Sequence, residues 1–237
     1  MKYSHNAFIS ILSKDVFVEM RTKQTLPLMV VLAMLIVWIL RIICEAASLD
    51  AVAVGSAVLL ICLLFCGLLV QERSFALEKQ DNCISGLLLA PLDVGTIYLA
   101  KLAANVIILC IFEIIAVPLI LITFHITVAD GWLYFLLLLL LVNAAISAVG
   151  TLFSAMVQLG DIRTAVLSVL VLTTLMPLMI PAAFVLLVLF GLIPENLGGS
   201  AALALAGNLK TATALIIAFD VIYISASWLL FGFVVRE

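Results

Sequence analysis

Two carboxyl groups stand inside long apolar stretches of this 237-residue sequence, at Glu113 and Asp220. An ionised carboxylate at the centre of a bilayer costs about 2.5–3.5 kcal/mol, so such a residue usually faces the interior of a helical bundle and has a partner. Counted from the expected outer ends of their helices, both carboxyls and Asn143 lie at a similar depth, roughly 14 Å. The shared depth predicts one polar layer with at least one carboxyl protonated. The alternative is that each residue bonds separately to backbone or serine neighbours.

Cysteine spacing gives a second possible site. Cys62 and Cys66 lie four residues apart, on one face of an expected helix, which is a spacing that suits metal ligands. Free cysteine in an apolar segment is more often a small hydrophobe, and this is the interpretation we favour. The five cysteines are odd in number and mostly lie in apolar runs, which argues against a disulfide framework. We therefore predict no metal site.

The chain is also predicted to have no ATPase chemistry of its own. A phosphate-binding loop requires the pattern G-x-x-x-x-G-K-[ST], and no glycine in the sequence is followed by lysine. The net charge of −3 and the absence of basic runs exclude a nucleic-acid partner.

The composition identifies the elements that must position these residues. Hydrophobic residues make up 67% of the chain and charged residues 11%, with a mean hydropathy of +1.41. A soluble domain of this size exposes too much surface to hide so much apolar area. A membrane span needs about 20 apolar residues. The sequence predicts an all-α integral membrane protein with six spans, at residues 26–44, 51–70, 97–123, 132–157, 164–191 and 211–235.

The distribution of basic residues predicts the orientation of these spans, because cytoplasmic loops of membrane proteins are enriched in lysine and arginine. Only Arg41 and Lys210 lie on the outer side if the N-terminus is inside, and Lys101 is expected to reach the inner face by snorkelling. Both termini are therefore expected in the cytoplasm, on the same side as Lys2, Lys14, Arg21, Lys23, Arg73, Lys79, Lys101, Arg163 and Arg236.

Residues 1–25 are predicted to form a helix that lies in the membrane interface and does not cross it. Phe8, Leu12, Val16 and Met20 repeat every four residues among polar neighbours, as in an amphipathic interfacial helix. A short solvated helix that caps the bundle is the alternative.

Residues 71–93, between the second and third spans, are the most informative segment for function. A charged, helix-prone stretch is followed by a cluster of turn-forming residues at 82–86, then by an apolar run too short to span that stops at Pro91. Apolar side chains in a cytoplasmic loop need a surface to bury them, and an exposed patch of this kind marks a docking site. A short helix presented to a cytoplasmic partner is predicted. A re-entrant or interfacial hairpin packed on its own bundle is the alternative.

Several short segments are informative through their order and spacing more than one by one. They are Lys14-Asp15, residues 19–23, Glu72-Arg73-Ser74-Phe75, Glu78-Lys79, Gly86-Leu87-Leu88-Leu89-Ala90-Pro91, residues 97–101 and residues 150–156. Together with the length and the six-span layout, these segments resemble CcmB, the permease subunit of the ABC transporter for cytochrome c maturation.

This resemblance implies a single permease domain over residues 1–237, with an exporter-type (ABC-2-like) six-helix fold. It implies an elbow helix at residues 1–25 and a coupling loop at residues 71–93 that docks on an ATPase. The sequence departs from the family pattern at residues 81–85, where Ser85 replaces a usual glutamate. The implied coupling residues are Glu72, Arg73, Glu78, Lys79, Leu88, Leu89, Ala90, Pro91 and Asp93.

The resemblance also implies the partners and the location. ATP is bound by a separate cytoplasmic ATPase, and haem is handled by a second membrane subunit and a possible haem chaperone, in the inner membrane of a bacterium. With only His5 and His125 in the chain, no haem ligation by this subunit is expected. An ABC exporter subunit for a lipid, drug or polysaccharide remains an alternative, as does a non-ABC scaffold or secondary transporter.

Overall fold

The computed structural model describes residues 2–22, 24–80, 94–128, 131–159, 164–192 and 209–234. These residues form seven helices, and the prediction of an all-α chain is confirmed. The helices are α1 (Lys2–Thr22), α2 (Thr25–Ala46), α3 (Ala51–Gln80), α4 (Val94–Thr123), α5 (Trp132–Leu159), α6 (Thr164–Leu189) and α7 (Leu209–Val234).

Six of these helices, α2 to α7, are long and apolar enough to cross a membrane, which confirms the predicted number of spans. Their first and last residues lie within three positions of the predicted ones, with one exception. Helix α3 continues ten residues past the predicted end of its span, to Gln80. The charged stretch after Val70 is therefore a direct extension of the membrane helix.

The turn between α2 and α3 illustrates why the helices end where they do. Ser48 has a positive φ of 51°, and the Leu49 N–H donates to the Cys44 carbonyl at 3.0 Å, which closes the last turn of α2. The carboxylate of Asp50 then accepts the backbone N–H groups of Val52 and Ala53 at 2.8 and 3.3 Å. These bonds satisfy free donors at the start of α3.

Helix α5 is the centre of the bundle. It contacts α3, α4, α6 and α7. In its apolar window 72% of residues are buried, against 17% in α2 and 22% in α7, which therefore lie at the periphery. Small residues allow the close approach of helices that membrane bundles require. At Gly67 of α3, an added Cβ would collide with the side chain of Ile146 of α5.

The alternating direction of the spans gives the bundle two ends. We call the end at which α2 and α4 begin the α1 end, because α1 packs against the first turns of α4 there. The other end, which carries the turn between α2 and α3, is the distal end. The α1 end is the one that the sequence predicts to face the cytoplasm.

Helix α1 departs from the predicted pattern in one respect. Phe8, expected on the same face as Leu12, Val16 and Met20, is partly buried and packs with Ile11 against Ile97 and Ala100 of α4. From residue 8 onward, where the side chains are described, the exposed large apolar side chains of α1 are Ile9, Phe17 and Met20. The helix therefore has one face on the bundle and a separate apolar face that remains exposed.

Helix α6 contains two prolines, Pro177 and Pro181, and stays helical through both. A proline inside a helix leaves the carbonyl four residues earlier without its donor, here the carbonyls of Thr173 and Pro177. Next to the first of them, the Tyr223 hydroxyl of α7 donates to the Thr174 carbonyl at 2.6 Å. This bond fastens α7 to the turn of α6 that precedes Pro177.

Candidate functional site

The polar contacts of the α1 end centre on the point where α3 leaves its apolar span. Gln71, Glu72 and Arg73 are consecutive, and each of them bonds to at least one other helix or to a helix start. We call these three residues, with their partners, the junction. It links the extension of α3 to the rest of the bundle.

Gln71 is fully buried and holds α3 to α4 and α5. Asn105 Nδ2 of α4 donates to Gln71 Oε1 at 2.9 Å and lies 3.0 Å from Thr151 Oγ1 of α5. Thr151 Oγ1 also lies 3.4 Å from Gln71 Oε1. Ser154 Oγ of α5 donates to the backbone carbonyl of Gln71 at 2.6 Å. Because these groups are shielded from water, their mutual bonds fix the geometry.

Glu72 and Arg73 make partly exposed contacts to two further helices. The Ser168 hydroxyl of α6 donates to Glu72 Oε1 at 3.5 Å. The Arg73 guanidinium donates to Thr25 Oγ1 at 2.7 Å and to Gln24 Oε1, at the start of α2. With Gln71, these residues connect the extension of α3 to α2, α4, α5 and α6.

A buried charge pair holds α1 to the same end. Lys101 of α4 is 0% exposed, and its Nζ lies 3.3 Å from Asp15 Oδ2 of α1. The prediction that Lys101 snorkels to the surface is therefore wrong. The reason is that α1 covers the first turns of α4 and supplies a carboxylate that compensates the ammonium group.

Tyr98, one turn before Lys101, makes the corresponding contact to α5 and α7. Its hydroxyl donates to the Ala148 carbonyl at 3.2 Å and also hydrogen-bonds with the Ser227 side chain. Its ring lies 5.3 Å from that of Phe231, centroid to centroid. The first turns of α4 thus connect α1, α5 and α7.

The structure describes only some of the predicted coupling residues. Glu72 and Arg73 belong to the junction, and positions 78 and 79 lie in the last turn of α3. Outside the described residues lie Leu88, Leu89, Ala90, Pro91 and Asp93.

The predicted mid-membrane layer divides into two parts. Glu113 of α4 and Asn143 of α5 are brought together, since their side chains are hydrogen-bond partners, and Asn143 Nδ2 also lies 3.7 Å from Cys110 Sγ. Asp220 of α7 is 4% exposed. Among the described residues, neither of its carboxylate oxygens has a hydrogen-bond partner, so no hydrogen bond joins it to Glu113 or Asn143. A layer of all three residues stays a prediction.

Potential metal and haem ligands are dispersed. Within the part of the chain that the structure describes, no three His, Cys, Asp or Glu side chains cluster closely enough to hold a metal ion. Cys62 and Cys66 are buried among apolar side chains, and Cys66 Sγ lies 3.6 Å from the Met29 carbonyl. His125, with a positive φ of 53°, follows the end of α4 and is exposed.

Sequence reasoning did not identify Asn105, Thr151 and Ser154 as site residues, and it treated Gln71 only as the first residue of a loop. The signal that was available is their polarity close to one end of three spans. Asn105 lies one helical turn after Lys101, and Ser154 one turn after Thr151, so each pair shares a helix face.

A comparison with known families gives a match over nearly the whole chain. The sequence model of the family described as CcmB protein matches residues 6–225. No curated protein matches the chain.

Proposed function

Because the chain belongs to the CcmB family, whose members are membrane subunits of the ABC transporter for cytochrome c maturation, we propose that residues 71–93 couple it to a separate cytoplasmic ATPase. The observation that carries this proposal is the junction. Three consecutive residues at the base of the α3 extension bond to α2, α4, α5 and α6. A push on the extension therefore acts on most of the bundle.

The continuity of α3 supports this role. The helix runs without a break from Ala51 in the apolar span to Gln80 beyond it. A continuous helix transmits displacement along its axis, whereas a flexible loop would absorb it. ATP hydrolysis on the partner would move the segment after Gln80, and the extension would pass that movement to the spans.

The proposed location is the inner membrane of a bacterium, with both termini and the junction in the cytoplasm. The bias of basic residues toward the α1 end supports this orientation. At the distal end, Arg41 is neutralised by Glu45 at 2.7 Å and lies 5.9 Å from the ring centroid of Phe124. An engineered cysteine at Leu49 should react with an impermeant maleimide added from outside. Protection of that cysteine in intact cells would contradict this orientation.

Helix α1 is proposed to lie in the membrane interface, as the elbow of an exporter-type fold. Ile9, Phe17 and Met20 form its exposed apolar face, and the exposed Lys14 and Arg21 lie beside that face. Basic residues next to an apolar strip suit the boundary between lipid headgroups and acyl chains. The opposite face is held to α4 by the Lys101–Asp15 pair.

In this proposal the chain is a permease that binds neither ATP nor haem itself. ATP belongs to the ATPase, and haem is the cargo of a second membrane subunit and of a haem chaperone. Rearrangement of the spans would either move haem or release the loaded chaperone at the outer face.

The test is to purify the chain in mild detergent from its native membranes and to identify what accompanies it by mass spectrometry and Soret absorbance. We expect an ATPase and a haem-handling membrane subunit, both lost when Leu88 and Leu89 are changed to aspartate. Ala47→Asp with Ser48→Asp is the matched control, because it adds the same charge at two exposed positions of the turn between α2 and α3, at the distal end, and should leave the complex intact.

Two outcomes would contradict the proposal. An ATPase without haem proteins would indicate an exporter of a lipid, drug or polysaccharide. If no ATPase accompanies the unchanged chain in several mild detergents, the coupling role is wrong.

A further inference from the structure

Of the three residues of the α3 extension whose side chains the structure describes, residues 71–73, the fully buried Gln71 is the one that bonds to two other spans, α4 and α5. We infer that Gln71 is a positioning residue for transport, and that its bonds to Asn105, Thr151 and Ser154 convert movement of the extension into movement of α4 and α5. This inference rests on the proposed function, because it requires an ATPase that moves the extension.

The bonds of Gln71 fix both its backbone and its side chain. Ser154 Oγ holds the backbone carbonyl at 2.6 Å, so α5 is fastened to the main chain of α3 itself. Asn105 and Thr151 hold the side-chain oxygen at 2.9 and 3.4 Å. A residue held in both ways cannot turn or slide without moving its partners.

The close approach of Gly150 in α5 further restricts the movement of the Gln71 side chain. An added Cβ at position 150 would collide with Cγ and Cδ of Gln71, so the main chain of α5 lies directly against the Gln71 side chain. Close packing of this kind transmits displacement, because packed interiors have low compressibility. Steric contact and hydrogen bonds therefore act together at Gln71.

The other two residues of the junction are less suited to this role. Glu72 and Arg73 are partly exposed, and the Glu72 contact to Ser168 is long, at 3.5 Å. Water can replace such contacts when the helices shift. The contacts of Gln71 are buried, so their loss cannot be compensated by solvent.

The bonds of Gln71 also extend toward α1. Asn105 lies one helical turn from Lys101, so both side chains lie on the same face of α4. Lys101 in turn pairs with Asp15 of α1 at 3.3 Å. A displacement at Gln71 that moves α4 would therefore carry α1 with it.

The experiment compares assembly, ATP hydrolysis and cytochrome c maturation in one set of variants of the full-length chain within its complex. Gln71→Met keeps the length of the side chain and removes its polar atoms. Thr151→Val removes one hydroxyl at constant shape. Thr173→Val is the matched control, because the Thr173 hydroxyl is exposed and bonds only to the Val169 carbonyl of its own helix, at 2.7 Å.

We expect Gln71→Met to retain the ATPase and to hydrolyse ATP within about twofold of the unchanged complex, while the yield of mature cytochrome c falls about tenfold. Thr151→Val should give a smaller fall in the same direction, and Thr173→Val none. This separation of hydrolysis from maturation is the signature of lost transmission. A residue needed only for folding would lower all three quantities together.

The inference is overturned if maturation is unchanged in Gln71→Met, or if it falls only in proportion to the assembled complex or to ATP hydrolysis. If Gln71→Met does not accumulate in the membrane, Gly150→Ala gives a second test. The added methyl group displaces the Gln71 side chain, but no polar group is removed from the protein. That variant should also hydrolyse ATP without maturing cytochrome c, and normal maturation in it would overturn the inference. Absence of an ATPase from the unchanged complex would instead overturn the proposed function, and the inference with it.

Discussion

Two regions of this bundle differ in how many bonds their buried polar side chains make. At the junction, Gln71, Asn105 and Thr151 bond to one another across three helices, although Nε2 of Gln71 has no partner among the described residues. In the middle of the membrane, one oxygen of Glu113 and both oxygens of Asp220 have no hydrogen-bond partner among the described residues. Both regions are buried, so solvent does not account for the difference.

The difference separates two reasons for placing a polar group in a membrane. A bonded network fixes the relative positions of helices, and it contributes to stability as well as to transmission. An unbonded buried polar group costs about 1–3 kcal/mol, so it opposes stability. The carboxyls of Glu113 and Asp220 therefore do not serve stability, which suggests a functional role for them. That role, in a polar layer with Asn143, stays a prediction.

The largest effect on stability is expected at the charge pair of the α1 end. Asp15→Asn removes the anionic partner of the buried Lys101. Breaking a fully buried ion pair from one side costs about 3–5 kcal/mol, and we expect about 2–3 kcal/mol here because Asp15 is itself partly exposed. Thermal unfolding of the two proteins in detergent would measure this loss of stability.

The control for this change is Lys14→Gln, which removes the exposed lysine that also pairs with Asp15, at 3.5 Å. Its effect should stay below about 1 kcal/mol, as for surface ion pairs. Equal effects of the two changes would contradict the view that burial makes the Lys101 pair important.

A smaller effect, and the most direct test of the comparison, comes from two asparagines. Asn105→Leu removes bonds to Gln71 and Thr151, and should cost about 1–2 kcal/mol, near the upper end for polar contacts in membranes. Asn143→Leu removes contacts to Glu113 and Cys110. We expect about 0.6 kcal/mol for that change, the average for such contacts. If the same unfolding measurement showed a larger loss of stability for Asn143→Leu than for Asn105→Leu, the proposed difference between the two regions would be wrong.

At Asp220 we expect no loss of stability at all. Because neither carboxylate oxygen is bonded, Asp220→Leu should increase the free energy of unfolding by about 1–3 kcal/mol, the cost of an unbonded buried polar group. A marked loss of stability would mean that the carboxyl has a structural partner.

The role of the layer is tested separately, with Glu113→Gln and Asp220→Asn. If both leave assembly and cytochrome c maturation intact, the functional role of the layer is wrong.

The membrane spans could be predicted because lipid imposes one simple requirement on each of them, a length of about 20 apolar residues. Local signals also set the helix ends, as at Asp50, whose carboxylate accepts two N–H groups at the start of α3. The end of α3 could not be predicted in this way. Its charged residues are helix-prone but not apolar, so the requirement for spanning does not apply to them.

The junction could not be predicted, because it depends on which helices become neighbours. Lys101 and Asp15 are 86 positions apart, and Ser154 is 83 positions from Gln71. Nothing in the local pattern around Lys101 indicates that α1 will cover it. For the same reason, the periodicity of α1 placed Phe8 on one face with Met20, whereas Phe8 packs against α4 and Met20 is exposed.

The close approach of Gly150 to Gln71 also restricts the order in which this chain can change during evolution. A methyl group at position 150 collides with the Gln71 side chain, so any replacement of Gly150 is harmful while Gln71 remains. A shorter residue at position 71 would remove the collision. Related sequences should therefore carry a side chain at position 150 only together with a smaller residue at position 71, and the two positions should vary as a pair.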